Sequence, residues 1–70
     1  MKSFKGTVKK SDLEGGVWIL DTGKGDIFQL KGGPVDLYEN GKKVTIRGNI
    51  RKDILGIGMI GPVLEVHETT

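Results

Sequence analysis

The sequence predicts an all-β fold, and three observations carry the prediction. Twelve of its seventy residues are glycine, spread without a repeat. Each glycine inside a helix costs about 1 kcal/mol relative to alanine, and glycine interrupts nearly every window long enough for one. Apolar and polar residues alternate with period two in several segments, as they do along half-buried strands. No strand–helix–strand repeat occurs, so a parallel sheet is not expected.

The elements follow in order. Phe4-Lys5-Gly6-Thr7-Val8-Lys9 alternates and reads as the first strand. Asp12, Gly15 and Gly16 are turn residues, and Val17-Trp18-Ile19-Leu20 is a short apolar second strand. Asp26-Ile27-Phe28-Gln29-Leu30 is the third, with Phe28 and Leu30 expected to point into the core. Thr22-Gly23-Lys24-Gly25 joins the two as a tight hairpin, because glycine takes positive φ cheaply. Lys31-Gly32-Gly33-Pro34 breaks the sheet, residues 35–39 form a helical turn or irregular link, and Asn40-Gly41 stops it. Residues 42–51 are the clearest strand, with Val44, Ile46, Gly48 and Ile50 on one face and Lys43, Thr45, Arg47, Asn49 and Arg51 on the other. Residues 54–60 read as a glycine-broken apolar strand. Gly61-Pro62 then places a bulge or kink before a last segment, Val63-Leu64-Glu65-Val66-His67. Residues 1–70 are thus expected to form one domain, a small five-stranded barrel with a bent, Gly/Pro-interrupted last strand. The short link between strands three and four is the arrangement of an OB-like barrel, in which the first strand pairs with the fourth.

Composition excludes several classes of function. A chain of this length buries only about 60% of the surface its unfolded form exposes. With no cysteine, neither disulfides nor thiolate metal sites are available to reinforce it. The lone His67 excludes a histidine-rich metal site and is expected to face solvent, so neither a metal nor a cofactor is expected. Asp21 and Asp26 flank one turn and read as solvated carboxylates. Met1-Lys2-Ser3-Phe4-Lys5 is basic but no apolar stretch follows it, and residues 54–64 are too short to span a bilayer. The chain therefore reads as cytoplasmic, without a membrane partner.

The formal charge of +2 hides a pattern. Residues 1–10 carry four lysines and no acid, residues 11–40 six acids against two lysines, and residues 41–53 five bases against Asp53. The remaining segment carries Glu65 and Glu68. An OB-like topology brings the two basic segments together on strands one and four. The plain reading is that their cations are staggered and solvated, because like charges directly opposite destabilise a strand pair. The functional reading is a basic face for single-stranded nucleic acid, with Lys5, Lys9, Lys43, Arg47 and Arg51 on phosphates and Trp18 and Phe28 stacking bases.

The segments Phe4-Lys5-Gly6-Thr7-Val8-Lys9, Gly15-Gly16-Val17-Trp18-Ile19 and Gly25-Asp26-Ile27-Phe28-Gln29-Leu30 resemble the first three strands of cold-shock domains. That resemblance implies an OB barrel whose exposed aromatics stack single-stranded bases. The family's aromatic pair after the first strand falls on Lys10 and Ser11, its next Phe on Gly16, and its His on Leu30. Only Trp18 and Phe28 keep stacking positions, which implies weak binding at most. A second resemblance spans most of the chain. Gly16, Trp18, Leu20, Asp21, Gly23, Phe28, Leu30, Gly41, Val44, Ile46, Gly48, Leu64 and Val66 form a pattern similar to small uncharacterised OB-like barrel domains. It implies a fold and no particular activity.

Catalytic readings are few. Leu20-Asp21-Thr22-Gly23 resembles the Asp-Thr-Gly of retroviral-type aspartic proteases, which would need two copies of Asp21 sharing a proton across a dimer axis. A hairpin turn accounts for the same residues without catalysis. Ser3 and Ser11 have no credible base. The expectation is a non-catalytic binding or interaction module, partnered by single-stranded nucleic acid or by another protein through a sheet edge or the apolar segment 54–63. Trp18 has Val17 and Ile19 on the opposite face of its strand, so both faces are apolar. One face must be covered by the 31–41 link or form an interface; the pattern favours the core for Trp18 and Leu20.

Overall fold

The computed structural model describes residues 2–12, 16–52 and 61–70. The expected strand at 54–60 and the glycines at 15, 56 and 58 lie outside the described residues. The elements are β1 (Lys2–Ser11), β2 (Val17–Asp21), β3 (Ile27–Lys31), a 3-10 turn (Val35–Leu37), β4 (Lys42–Arg51) and β5 (Val63–Thr69). The protein is all-β, and its five strands close into a ring in the order β1-β2-β3-β5-β4 and back to β1. Among the described residues no helix is long and apolar enough to cross a membrane.

Closure depends on β1 serving two neighbours. Residues 2–8 of β1 pair with β4 and residues 7–11 with β2, both antiparallel. Gly6 lies beside the point where β1 passes from one partner to the other, and an added Cβ there would lie 2.5 Å from the Asp21 carbonyl oxygen. No side chain fits there without moving backbone. The β2–β3 hairpin turns through Gly23 and Gly25, both at positive φ, as expected from the sequence.

One of the five pairings is parallel. β3 and β5 run parallel over Gln29↔Val63, Leu30↔Leu64 and Lys31↔Glu65. A parallel pair needs a long crossover, usually a helix. Here the connection runs through the 3-10 turn and β4, and the other four pairings are antiparallel, so the sheet as a whole is not a parallel one. A register shift is found in β4, between Arg47 and Gly48, where His67 on β5 is left without a ladder partner. At the expected kink, the Pro62 carbonyl accepts the Gln29 N–H at 2.9 Å and extends the β3–β5 pairing.

The alternation of β4 holds: Val44, Ile46 and Gly48 are buried, while Lys43, Arg47 and Asn49 are exposed. The interior of the ring is filled by Val8, Leu20, Val44, Ile46, Leu64 and Val66, with Leu37 packed into it from the 3-10 turn. Phe4, Trp18, Phe28, Leu30, Tyr38 and Ile50 are partly buried against this cluster. Leu20 is therefore fully core, Trp18 half so. Val17, Ile19 and Val63 are also buried but stand apart from the cluster, on the other face of the sheet. Ile19 and Val63 flank Gln29, which is 5% exposed and donates from Nε2 to the Gly61 carbonyl at 3.0 Å.

The link after β3 turns its aromatic residue toward the ring. Tyr38 meets Trp18 edge-on, with ring centroids 5.8 Å apart, and its hydroxyl donates to the Gly32 carbonyl. Burial pushes the Tyr38 phenol above 10.0. The folded state thus prefers the neutral phenol, and this contribution to stability is complete below about pH 10 and lost as pH rises through the raised value. Because Tyr38 is the single tyrosine, phenolate absorbance should titrate later in the folded than in the urea-unfolded protein. Coincident curves would show that the phenol is solvated.

Candidate functional site

The β1–β4 register decides how the two basic segments meet. Ser3 faces Arg47, Lys5 faces Thr45 and Thr7 faces Lys43. Lys5, Lys43 and Arg47 therefore each meet a hydroxyl residue, Lys2 faces Gly48 and Lys42 faces Val8, so no cation of this ladder directly faces another. The staggered reading is the one observed.

Three of the five candidate cations have acidic partners. Lys9 Nζ lies 3.0 Å from Asp21 Oδ2, Arg47 3.3 Å from Glu68 Oε2, and Arg51 2.8 Å from Glu65 Oε2. Both arginines of β4 are thus matched by the acids of β5, which lies beside it. Glu65 also receives His67 Nε2 at 3.2 Å, and that ring nitrogen is 3.4 Å from Asn49 Nδ2. Such partly exposed pairs contribute about 0–1 kcal/mol each, so their main consequence is a surface with less free positive charge.

Asp21 is committed to its turn. Its Oδ1 accepts the Gly23 N–H at 2.9 Å and its Oδ2 accepts Lys9. The Gly23 hydrogen bond first, then the Lys9 hydrogen bond and charge, hold this carboxyl below 3.8. Its contribution to stability is present above the unfolded value near 3.8 and is lost as pH falls through the lowered folded value. Asp21→Asn keeps an acceptor for Gly23 but removes the titrating charge. The variant should lose less of its thermal midpoint on acidification than the parent; equal losses would show that Asp21 contributes nothing to acid unfolding.

The other two cations, Lys5 and Lys43, are exposed and border a cleft of about 600 Å³ at one end of the ring. The cleft lies between the N-terminal half of β1, the start of β4 and the β2–β3 turn. Phe4 and Phe28 meet in it edge to face, with centroids 5.0 Å apart and planes inclined by 62°. Lys24 lines it from the hairpin, and Thr7, Thr22 and Thr45 supply hydroxyls. Asp26 is the acidic side chain among the described lining residues. No carboxylate lies within ion-pair distance of Lys5, Lys24 or Lys43 among the described residues.

Of the residues singled out by sequence, the structure brings Lys5, Phe28 and Lys43 together. Trp18 does not line this cleft; it packs with Tyr38, and Lys10 Nζ lies 5.9 Å from its ring centroid. Lys9, Arg47 and Arg51 are engaged as described. Phe4 and Lys24 complete the cleft and were not singled out. The available signal was the even-numbered face of the first strand, which turns Phe4 inward beside Val8. His67 is exposed, as expected, although it reaches Glu65. Comparison with family models, curated proteins and solved structures finds no match.

Proposed function

We propose that this chain is a non-catalytic binding module of OB-like barrel architecture, and that its ligand occupies the cleft beside β1. The ring order, the shared strand β1 and the parallel β3–β5 pair support the OB-like reading. One observation carries the functional reading. Two aromatic rings in edge-to-face contact line the same cleft as three lysines that have no ion-pair partner among the described residues. A site of this size lined by apolar and a few convergent polar groups is the usual form of a ligand pocket. Among the described lining residues, threonine hydroxyls and the Asp26 carboxylate offer no paired nucleophile and base, which supports binding over catalysis. The ligand is anionic with an apolar or aromatic part.

The test is titration of ¹⁵N-labelled protein with phenylacetate and a thymidine hexanucleotide. Amides of β1, β4 and the 22–26 turn should shift together, and Lys5→Glu with Lys43→Glu should weaken binding. Shifts scattered over the surface, or none at millimolar probe, would reject the cleft as the site.

Single-stranded nucleic acid is a second reading, favoured by Lys5 and Lys43 standing beside Phe28. Its footprint is smaller than composition suggests. Five neutralised phosphates would give a log–log salt slope of about −3.5, and the two unpaired candidates about −1.4. A slope near the smaller figure is expected for the hexanucleotide, and a salt-independent signal removes this reading.

A further inference from the structure

The same cleft contains an unpaired strand edge, and its position follows from hydrogen-bond parity. Thr45 exchanges both main-chain bonds with Thr70, so its N–H and C=O face β5. In a strand these groups alternate sides. Val44 and Ile46 therefore face β1, and their register partners Gly6 and Phe4 face β4. Val8 agrees, because its carbonyl accepts the Gly41 N–H on that same side. The N–H and C=O groups of Ser3, Lys5 and Thr7 thus point the other way. Thr7 finds β2, through its pairing with Asp21. There the β1–β2 ladder ends, and Ser3 and Lys5 have no main-chain partner among the described residues. Both residues line the cleft.

Resting on the reading of the cleft as the binding site, we propose that its ligand is an extended acidic peptide segment that adds to this edge of β1. Ser3 and Lys5 offer two N–H donors and two carbonyl acceptors, the alternation a peptide backbone matches. Phe4 and Phe28 receive an apolar side chain of the segment, and Lys5, Lys24 and Lys43 receive its carboxylates. A nucleic-acid backbone has no alternating donors to satisfy this edge. A second copy of β1 is disfavoured, because edge-to-edge pairing would bring together strands that each carry Lys2 and Lys5 without acids; lysines on an edge oppose such pairing.

The experiment uses ¹⁵N-labelled protein and a pool of acetylated, amidated pentapeptides in which glutamate alternates with Phe, Leu, Ile or Val. A second pool replaces glutamate by lysine, and a third keeps glutamate but carries N-methylated backbone amides. The acidic pool should shift the Ser3 and Lys5 amides and slow their hydrogen exchange. N-methylation, or the Lys5→Glu/Lys43→Glu double variant, should weaken binding by about tenfold or more. Both substituted side chains are exposed, so the variant keeps its fold. The proposal is overturned if the acidic pool leaves those amides unmoved at millimolar concentration, or if the lysine or N-methylated pool binds equally well. Phenylacetate and the thymidine hexanucleotide separate the two levels of inference. If either moves the cleft while the acidic pool does not, the peptide falls and the cleft stands; if no probe does, both fall.

Discussion

Gly48→Ala is expected to destabilise the protein by about 3 kcal/mol or more. Gly48 sits at the register shift of β4, opposite Val66. A Cβ built there overlaps the Glu65 carbonyl oxygen and lies 3.0 Å from the carbonyl carbon. Those atoms are backbone, so no rotamer change relieves the clash. Either β5 moves away from β4 or the β4–β5 ladder is lost locally. A chain of this length has a total stability of roughly 4–10 kcal/mol, so the variant would be substantially unfolded in modest urea.

Two other glycines make the cause testable. Gly6→Ala places its Cβ 2.5 Å from the Asp21 carbonyl oxygen, a milder overlap and again with backbone. Gly23→Ala meets nothing within 4 Å and pays only for its φ of +80°, about 1 kcal/mol. Urea midpoints should therefore fall in the order Gly23→Ala, Gly6→Ala, Gly48→Ala, from least to most destabilised. The idea is falsified if Gly48→Ala is no worse than Gly23→Ala, because backbone strain would then outweigh close approach.

The distinction between these glycines was half visible in the sequence. Gly6 and Gly48 interrupt alternating segments, which marked them as bends; Gly23 and Gly41 lie between segments, which marked them as turns. The partner strand at each bend was not visible, since Asp21 and Glu65 are reached only through pairing. Charge shows the same limit. Summing segments identified two basic stretches and correctly placed them on paired strands. It missed that Arg47 and Arg51 meet Glu68 and Glu65, because those contacts cross between neighbouring strands. Gln29 reads as an outward polar residue, and it does lie off the core face. Its burial and its bond to Gly61 come from a residue 32 positions away. The cleft was legible only in parts: alternation placed Phe28 inward and carried the same signal, unused, for Phe4, but the end of the β1–β2 ladder, which opens the edge between them, is a property of register.

Leu20→Ala is expected to cost about 3 kcal/mol, within the range of 2–5 found for large-to-small changes in cores. Leu20 is 0% exposed and lies directly between Val8 on β1 and Phe28 on β3 in the ladder. Removing its terminal isopropyl group takes contacts from both neighbours and from the centre of the ring. Val8 is itself fully buried in a β-branched side chain and cannot follow the retreating surface. Phe28 is only partly buried and borders the cleft, so it is the group that can settle inward. The cost then depends on that movement: a rigid Phe28 leaves a cavity and puts the loss near the top of the range, a mobile one puts it near the bottom. The second case carries a signature in the cleft, because the Phe4–Phe28 contact would open and phenylacetate would bind differently. A loss below about 1 kcal/mol with unchanged binding would place Leu20 outside the packed core.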